Sequence, residues 1–146
     1  MRLRRYLFVV IFLVLGANSA AKDAERTLTL NPETNRWVQL HQTMAGWKME
    51  IRQGRDEGKK FVLGEILAEV AVEAESNSRR YVWVCAPLVD SMKPRSFHSF
   101  VGLVVYQNAE RGYQVPTRVW LVSYSEPAFL ELDARSFQCE NPWLPP

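Results

Sequence analysis

The sequence has few of the residues and motifs on which enzymatic chemistry depends. It contains only two histidines and two cysteines in 146 residues, and no Gly-x-Ser-x-Gly, His-Glu-x-x-His or Gly-rich phosphate-binding motif. No histidine accompanies the cysteines at the spacing of a metal site. We therefore expect no metal and no cofactor. One weak catalytic candidate, His98, keeps an enzyme as an alternative.

A long apolar run occurs only near the start of the chain. Three arginines within the first five residues precede an apolar stretch at 6–15, and small or polar residues follow at 16–21. This order is typical of a secretory signal peptide. Ten apolar residues span only about 15 Å as a helix, about half of the hydrocarbon core of a bilayer. We therefore interpret 1–21 as a signal peptide and expect no membrane span after its cleavage. The protein is then exported, periplasmic in a Gram-negative bacterium and otherwise secreted.

Neither sign of charge dominates the rest of the chain. Three of the 18 basic residues and none of the 16 acidic residues lie in 1–21, so residues 22–146 carry 15 basic and 16 acidic residues, a net charge of −1. Binding to a phosphate backbone depends on a concentrated positive charge. The charge balance therefore argues against nucleic acid as a partner.

The two cysteines, Cys85 and Cys139, predict a disulfide. An isolated pair in an exported protein usually oxidises, because the extracytoplasmic compartment is oxidising. The bond would close a loop of about 55 residues, and it would stabilise the fold by about 4 kcal/mol in the chain-entropy model.

The first part of this region predicts a helix. Asn31-Pro32-Glu33 has the residues favoured at an N-cap, a first helical position and an acidic first turn. Apolar residues then recur at spacings of three and four up to a predicted helix end near Gly54: Trp37, Leu40, Met44, Trp47 and Ile51. We interpret 22–30 as a flexible lead-in to this helix.

The remainder of the chain indicates β-structure. Residues 61–75 fit both a strand and a helical arc, and we favour a strand because a turn at 76–78 would lead into the next apolar run. Further strands are predicted at 81–86, 97–106, 114–124 and 129–132. The first two are apolar on both faces, as in a central strand, whereas Pro116 places the third at an edge or a bulge. The predicted fold class is α+β: a single domain at 31–146 with one long N-terminal amphipathic helix packed on an antiparallel sheet of about five strands. This order of elements is similar to that of cystatin-like and NTF2-like folds, although no residue motif supports the analogy.

Candidate binding residues come from basic and aromatic side chains. Such residues are enriched in binding hot spots, and exposed loops often carry recognition. For the residues of the third strand, packing under the helix is the alternative interpretation. The candidates are Arg79, Arg80, Lys93, Arg95, Arg118, Trp120 and Tyr124.

Three functional hypotheses follow. The first is a small exported binding protein, such as an inhibitor or immunity-type partner of another envelope protein. The second is an accessory or structural component of an envelope assembly. The third is a small hydrolase or ligand-binding domain that uses His98, which lies at a loop-to-strand junction with Asp90 nearby in sequence.

Overall fold

The computed structural model describes residues 25–57, 60–92, 95–106 and 112–144, and this part of the chain is almost entirely β-structure. Its only helices are two single 3₁₀ turns at Asp90–Met92 and Ala134–Ser136. The strands are β1 (Glu25–Asn31), β2 (Arg36–Thr43), β3 (Gly46–Glu57), β4 (Lys60–Val72), β5 (Arg79–Val82), β6 (Cys85–Pro87), β7 (His98–Val105), β8 (Tyr113–Gln114), β9 (Arg118–Ser123), β10 (Ala128–Leu132) and β11 (Phe137–Glu140). The predicted signal peptide and Lys93 lie outside the described residues.

The strands form three antiparallel sheets. Sheet A has the order β1-β2-β3-β4, sheet B has the order β10-β9-β7-β5, and the small sheet C has the order β6-β11-β8. Sheet B is the central layer, because it packs against sheet A on one face and against sheet C on the other. A strand buried on both faces is apolar throughout rather than alternating. This explains why residues 100–104 and 119–122 are continuous apolar runs.

The main core lies between sheets A and B. Its fully buried side chains come from alternate positions of the facing strands, as the two-residue period of a strand requires. Sheet A contributes Leu28, Val38, Leu40, Met49 and Ile51, and sheet B contributes Tyr81, Val101, Leu103, Trp120, Val122 and Tyr124.

The predicted N-terminal helix is wrong, because the segment folds as the β2–β3 hairpin. Leu40 pairs with Met49 and Val38 pairs with Ile51 across this hairpin, and all four side chains are buried. Apolar residues on two paired strands are symmetric about the turn. Their combined spacing in sequence therefore imitated a helical period.

The residues that suggested a helix start belong to a turn, and Gly46, inside the predicted helix, belongs to another turn. The Asn31 side chain accepts a hydrogen bond from the Thr34 backbone N–H at 2.9 Å, in the turn between β1 and β2. Gly46 has a φ of 131°, which L-residues rarely adopt, and it closes the turn between β2 and β3. Met44 in that turn is fully exposed instead of facing a core.

The α+β fold class and the cystatin-like or NTF2-like analogy are therefore contradicted, while several strand predictions are confirmed. The ambiguous segment 61–75 is mostly β4, β7 and β9 lie within the predicted segments, and β10 begins one residue before its predicted segment. The single strand predicted at 81–86 is wrong, because this segment is divided between β5 and β6. β4 and β5 belong to different sheets, so the turn at 76–78 leads from sheet A to sheet B. β1 occupies most of the segment expected to be a flexible lead-in.

The predicted disulfide between Cys85 and Cys139 is present, and it joins directly opposed residues of β6 and β11. It packs on Gly102 of β7. A Cβ atom at Gly102 would lie 2.4 Å from Cys139 Sγ and 2.8 Å from Cys85 Sγ. A glycine is therefore required here, because it lets sheet C approach sheet B. The bond is compatible with an exported protein.

Candidate functional site

Two of the predicted binding arginines, Arg79 and Arg118, form intramolecular ion pairs. Arg118 Nε lies 2.7 Å from Glu131 Oε1, and its Nη1 lies 3.6 Å from Glu73 Oε1. Arg79 Nη1 lies 2.7 Å from Glu73 Oε2. Because Glu73 directly follows β4 in the chain, its two contacts tie the end of sheet A to sheet B. The shorter Arg118–Glu131 pair instead joins β9 to β10 within sheet B.

The two aromatic residues of the predicted binding face belong to the core. Trp120 and Tyr124 are each only 1% exposed. Arg118 covers the Trp120 ring with its guanidinium carbon 4.7 Å from the ring centroid, and the Tyr124 hydroxyl is hydrogen-bonded to Ser99 Oγ at 3.0 Å. Both side chains therefore pack in the core between sheets A and B instead of forming a binding face.

The remaining candidates do not assemble into one site. Arg80 and Arg95 are exposed and make no ion pair with other described residues. His98 is half-buried beside its register partner Ser123, and its side chain has no hydrogen bond or ion pair within the described ranges. The described geometry thus places no general base next to a nucleophile around His98.

The outer face of sheet A, turned away from the core, is polar and internally paired. A single row of polar side chains crosses all four strands in register: Thr27, Gln39, Glu50 and Glu69. Gln39 donates a hydrogen bond to Thr27 Oγ1 at 2.7 Å, and Lys48 Nζ lies 2.9 Å from Glu69 Oε2. We call this surface the A face.

Glu50 is the centre of the A face and is only 1% exposed. Its carboxylate lies between Lys48 Nζ at 2.8 Å and Arg52 Nη2 at 2.7 Å. Burial raises the pKa of Glu50, but the hydrogen bonds from Lys48 and Arg52 outweigh burial and hold the pKa below its ordinary value. The carboxylate is therefore charged at neutral pH and paired with two cations, as in a structural ion network.

The outer face of sheet C is different, because it exposes apolar side chains. The inward positions of its strands are fixed by the disulfide and by buried Phe137 and Gln114. Alternation then turns the intervening residues to solvent. We call these residues the C face: Val84, Ala86, Leu88, Tyr113, Val115, Gln138 and Glu140.

Backbone hydrogen bonds extend the C face beyond the three short strands. The Glu140 N–H donates to the Val84 carbonyl at 2.8 Å, and the Leu88 N–H donates to the Ser136 carbonyl at 2.8 Å. Leu88 and Tyr113 are each 58% exposed, and Val84 is 44% exposed. The result is a rigid sheet surface of exposed apolar side chains, a type of surface that marks an interaction site when it is contiguous.

Sequence reasoning missed the C face, although one signal for it was present. Once Cys85 is assigned to an inward-facing disulfide, strand alternation places Val84 and Ala86 on the solvent side. The apolar run around Cys85 was instead interpreted as a strand covered on both faces. That description fits β7 and β9 of sheet B, but not β6.

A separate shallow depression of about 590 Å³ is lined by residues of β9, β10 and the turn between them. Leu121 and Leu130 are among its apolar lining residues, and the turn at 125–127 forms its rim. Its lining includes no charged group except Glu126. The depression therefore offers apolar contact but few groups that could bind or activate a polar ligand.

Three further properties bear on the function. Among the described residues, no group of three or more histidine, cysteine or acidic side chains is arranged to hold a metal ion. No helix in the described ranges is long and apolar enough to cross a membrane. Comparison of the chain with protein-family models, curated proteins and solved structures gives no match.

Proposed function

We propose that this protein is a small exported binding protein that recognises another protein through the C face. The observation that carries this proposal is the set of apolar side chains that sheet C exposes. Monomeric soluble proteins rarely leave a contiguous apolar patch uncovered, and such patches mark interaction sites. The partner is a distinct envelope protein, which agrees with an inhibitor or immunity-type role.

The construction of the C face supports this proposal. Sheet C is small, but the Cys85–Cys139 bond holds two of its three strands together, and Gly102 lets it rest directly on sheet B. A rigid surface loses little conformational entropy when it binds, so more of the contact energy appears as affinity.

The predicted export supports the same proposal. The disulfide on which sheet C depends is stable in an oxidising compartment. The N-terminal residues 1–21 have the pattern of a signal peptide. The protein would therefore meet its partner in the periplasm or outside the cell.

In-cell photo-crosslinking tests the proposal. A photoreactive amino acid at Leu88 of the exported protein should give one discrete product with a second polypeptide. Val84→Asp in the same chain should reduce that product at least about tenfold, because it places a charge in the contact. No product at Leu88, or a product of two copies of this chain, would contradict the proposal.

Met44 provides a matched control for this experiment. It is also an exposed apolar residue, but it lies in the β2–β3 turn of sheet A. The same photoreactive amino acid at Met44 should give no such product. Equal yields from both positions would show non-specific capture and would refute the C face as the site.

A further inference from the structure

We infer that the C face receives an arginine side chain of its partner between Glu140 and Tyr113. This inference rests on the proposed function and names the chemistry of the partner. In sheet C, Val84, Glu140 and Tyr113 form one row across the three strands: the Glu140 N–H donates to the Val84 carbonyl, and Glu140 is the register partner of Tyr113. The row thus places a carboxylate between an aliphatic and an aromatic side chain.

Glu140 differs from most other carboxylates of the sheets. It is exposed and makes no ion pair with another described residue. By contrast, five other glutamates, on the strands or in the segment that joins β4 to β5, have a basic partner: Glu50, Glu69, Glu73, Glu75 and Glu131. Among the described residues, the Glu140 carboxylate therefore has no counter-charge, and apolar side chains of the C face lie beside it.

Covering this surface with an entirely apolar partner would desolvate the Glu140 carboxylate without a counter-charge, which is costly. A cation on the partner removes this cost. Arginine fits better than lysine, because a guanidinium forms two parallel hydrogen bonds with a carboxylate and also stacks on an aromatic ring. The Tyr113 ring, which is more than half exposed, supplies that ring next to Glu140.

Titration with model peptides tests this inference without knowledge of the natural partner. The probes are the capped tripeptides Val-Arg-Leu, Val-Lys-Leu and Val-Gln-Leu, added to the disulfide-bonded protein and followed by NMR. The arginine peptide should shift the amide signals of Tyr113 and Glu140, and it should bind about threefold more tightly than the glutamine peptide, with the lysine peptide between them.

Glu140→Gln should reduce binding of the arginine peptide to the level of the glutamine peptide, with the rest of the spectrum unchanged. Glu126→Gln is the matched control, because Glu126 is also exposed and unpaired among the described residues but lies in the β9–β10 turn. It should have no effect. Equal binding of the three peptides, or an unchanged affinity in Glu140→Gln, would overturn the inference.

The two proposals fail in different ways. If the peptides bind equally while Val84→Asp still suppresses crosslinking from Leu88, the arginine site is wrong and the binding function stands. If no partner crosslinks from Leu88, the binding function is refuted, and the arginine site falls with it.

Discussion

The two outer sheets of the molecule present opposite kinds of surface. The A face carries charged and polar side chains that pair with one another, with buried Glu50 held between Lys48 and Arg52. The C face carries apolar side chains that are exposed and one carboxylate, Glu140, that has no counter-charge among the described residues. A surface that completes its own interactions has little to gain from a partner. A partner on the C face would supply both apolar contact and a counter-charge.

The two sheets also differ in how they are stabilised. Sheet A has long strands, up to the 13 residues of β4, and packs on sheet B through a broad apolar core. Sheet C has strands of two to four residues and contains the disulfide. We therefore expect the stability of sheet C to depend on the disulfide, and the stability of sheet A to depend on core packing and on its ion network.

The largest effect should follow from removal of the disulfide. Replacing Cys85 and Cys139 together by alanine should lower the free energy of unfolding by about 4 kcal/mol, as expected for a loop of this length. Denaturant unfolding measures this loss. Amide hydrogen exchange should also accelerate first in β6 and β11, while β2 and β3 keep their protection. Faster exchange that begins in sheet A would break the contrast between the sheets.

A smaller but still large loss is expected for Gly102→Ala. The added methyl group would overlap both sulfur atoms, and overpacking of this kind costs about 1–3 kcal/mol. Thermal unfolding of the oxidised protein would show a lower midpoint. Gly112→Ala serves as the control, because a Cβ atom at Gly112 meets nothing within 4 Å. Equal losses in the two variants would mean that the close approach at Gly102 is not what positions sheet C.

Arg118→Met should remove the ion pair that joins β9 to β10 and one of the two Glu73 contacts between the larger sheets. The cost should be about 0.5–1 kcal/mol, since these ion pairs are partly solvent-exposed. The hydrogen bond from Arg118 lowers the pKa of Glu131, so this variant should return the pKa of Glu131 toward its ordinary value. NMR titration of the carboxyl group measures that change.

The sign of the associated pH dependence follows from the lowered pKa. Stability from the Arg118–Glu131 pair is complete above the ordinary glutamate pKa of about 4.3, and it is lost as the pH falls through the lower pKa of the folded protein. Acid unfolding curves of Arg118→Met should therefore be less steep below about pH 4. An unchanged Glu131 titration in the variant would contradict the ion pair.

The smallest effect on folding is expected on the C face. Leu88→Ser should change the free energy of unfolding by less than about 0.5 kcal/mol, because Leu88 is mostly exposed. The same variant should weaken partner binding, since it removes apolar contact area. Denaturant unfolding and the yield of crosslinking from a neighbouring position measure the two effects. A large loss of stability would show that the C face belongs to the fold rather than to a binding site.

Strand-level features of this protein are predictable from its sequence, whereas the order of its first elements is not. The continuous apolar run of β7 correctly indicated a central strand, and isolation of Cys85 and Cys139 correctly indicated a disulfide. β9 is central as well, although Pro116, which precedes it, had suggested an edge or a bulge. The hairpin at 36–57 was mistaken for a helix, because apolar residues on both of its strands fall at helical spacings. The positive φ of Gly46 distinguishes the hairpin from a helix, but the sequence pattern alone does not show this angle or which residues are paired.

The binding residues were harder to predict than the strands. Arg118 and Trp120 are of the residue types that are common on recognition surfaces. Sheet B is the central layer, however, so Trp120 is buried in the core and Arg118 forms intramolecular ion pairs. The apolar C face lies on strands too short to give a clear period. Which residues of β6 and β11 face solvent depends on the side to which the disulfide points. The packing of the disulfide on Gly102 determines that side, and it is seen only in the three-dimensional structure.

One matched measurement tests the central contrast most directly: the free energy of unfolding of Glu50→Gln compared with that of Glu140→Gln. The chemical change is the same on both faces. We expect Glu50→Gln to lose about 2 kcal/mol, because Lys48 and Arg52 lose their shared counter-charge, and Glu140→Gln to lose less than about 0.5 kcal/mol. Equal losses, or a larger loss for Glu140→Gln, would contradict the assignment of the A face to folding and of the C face to recognition.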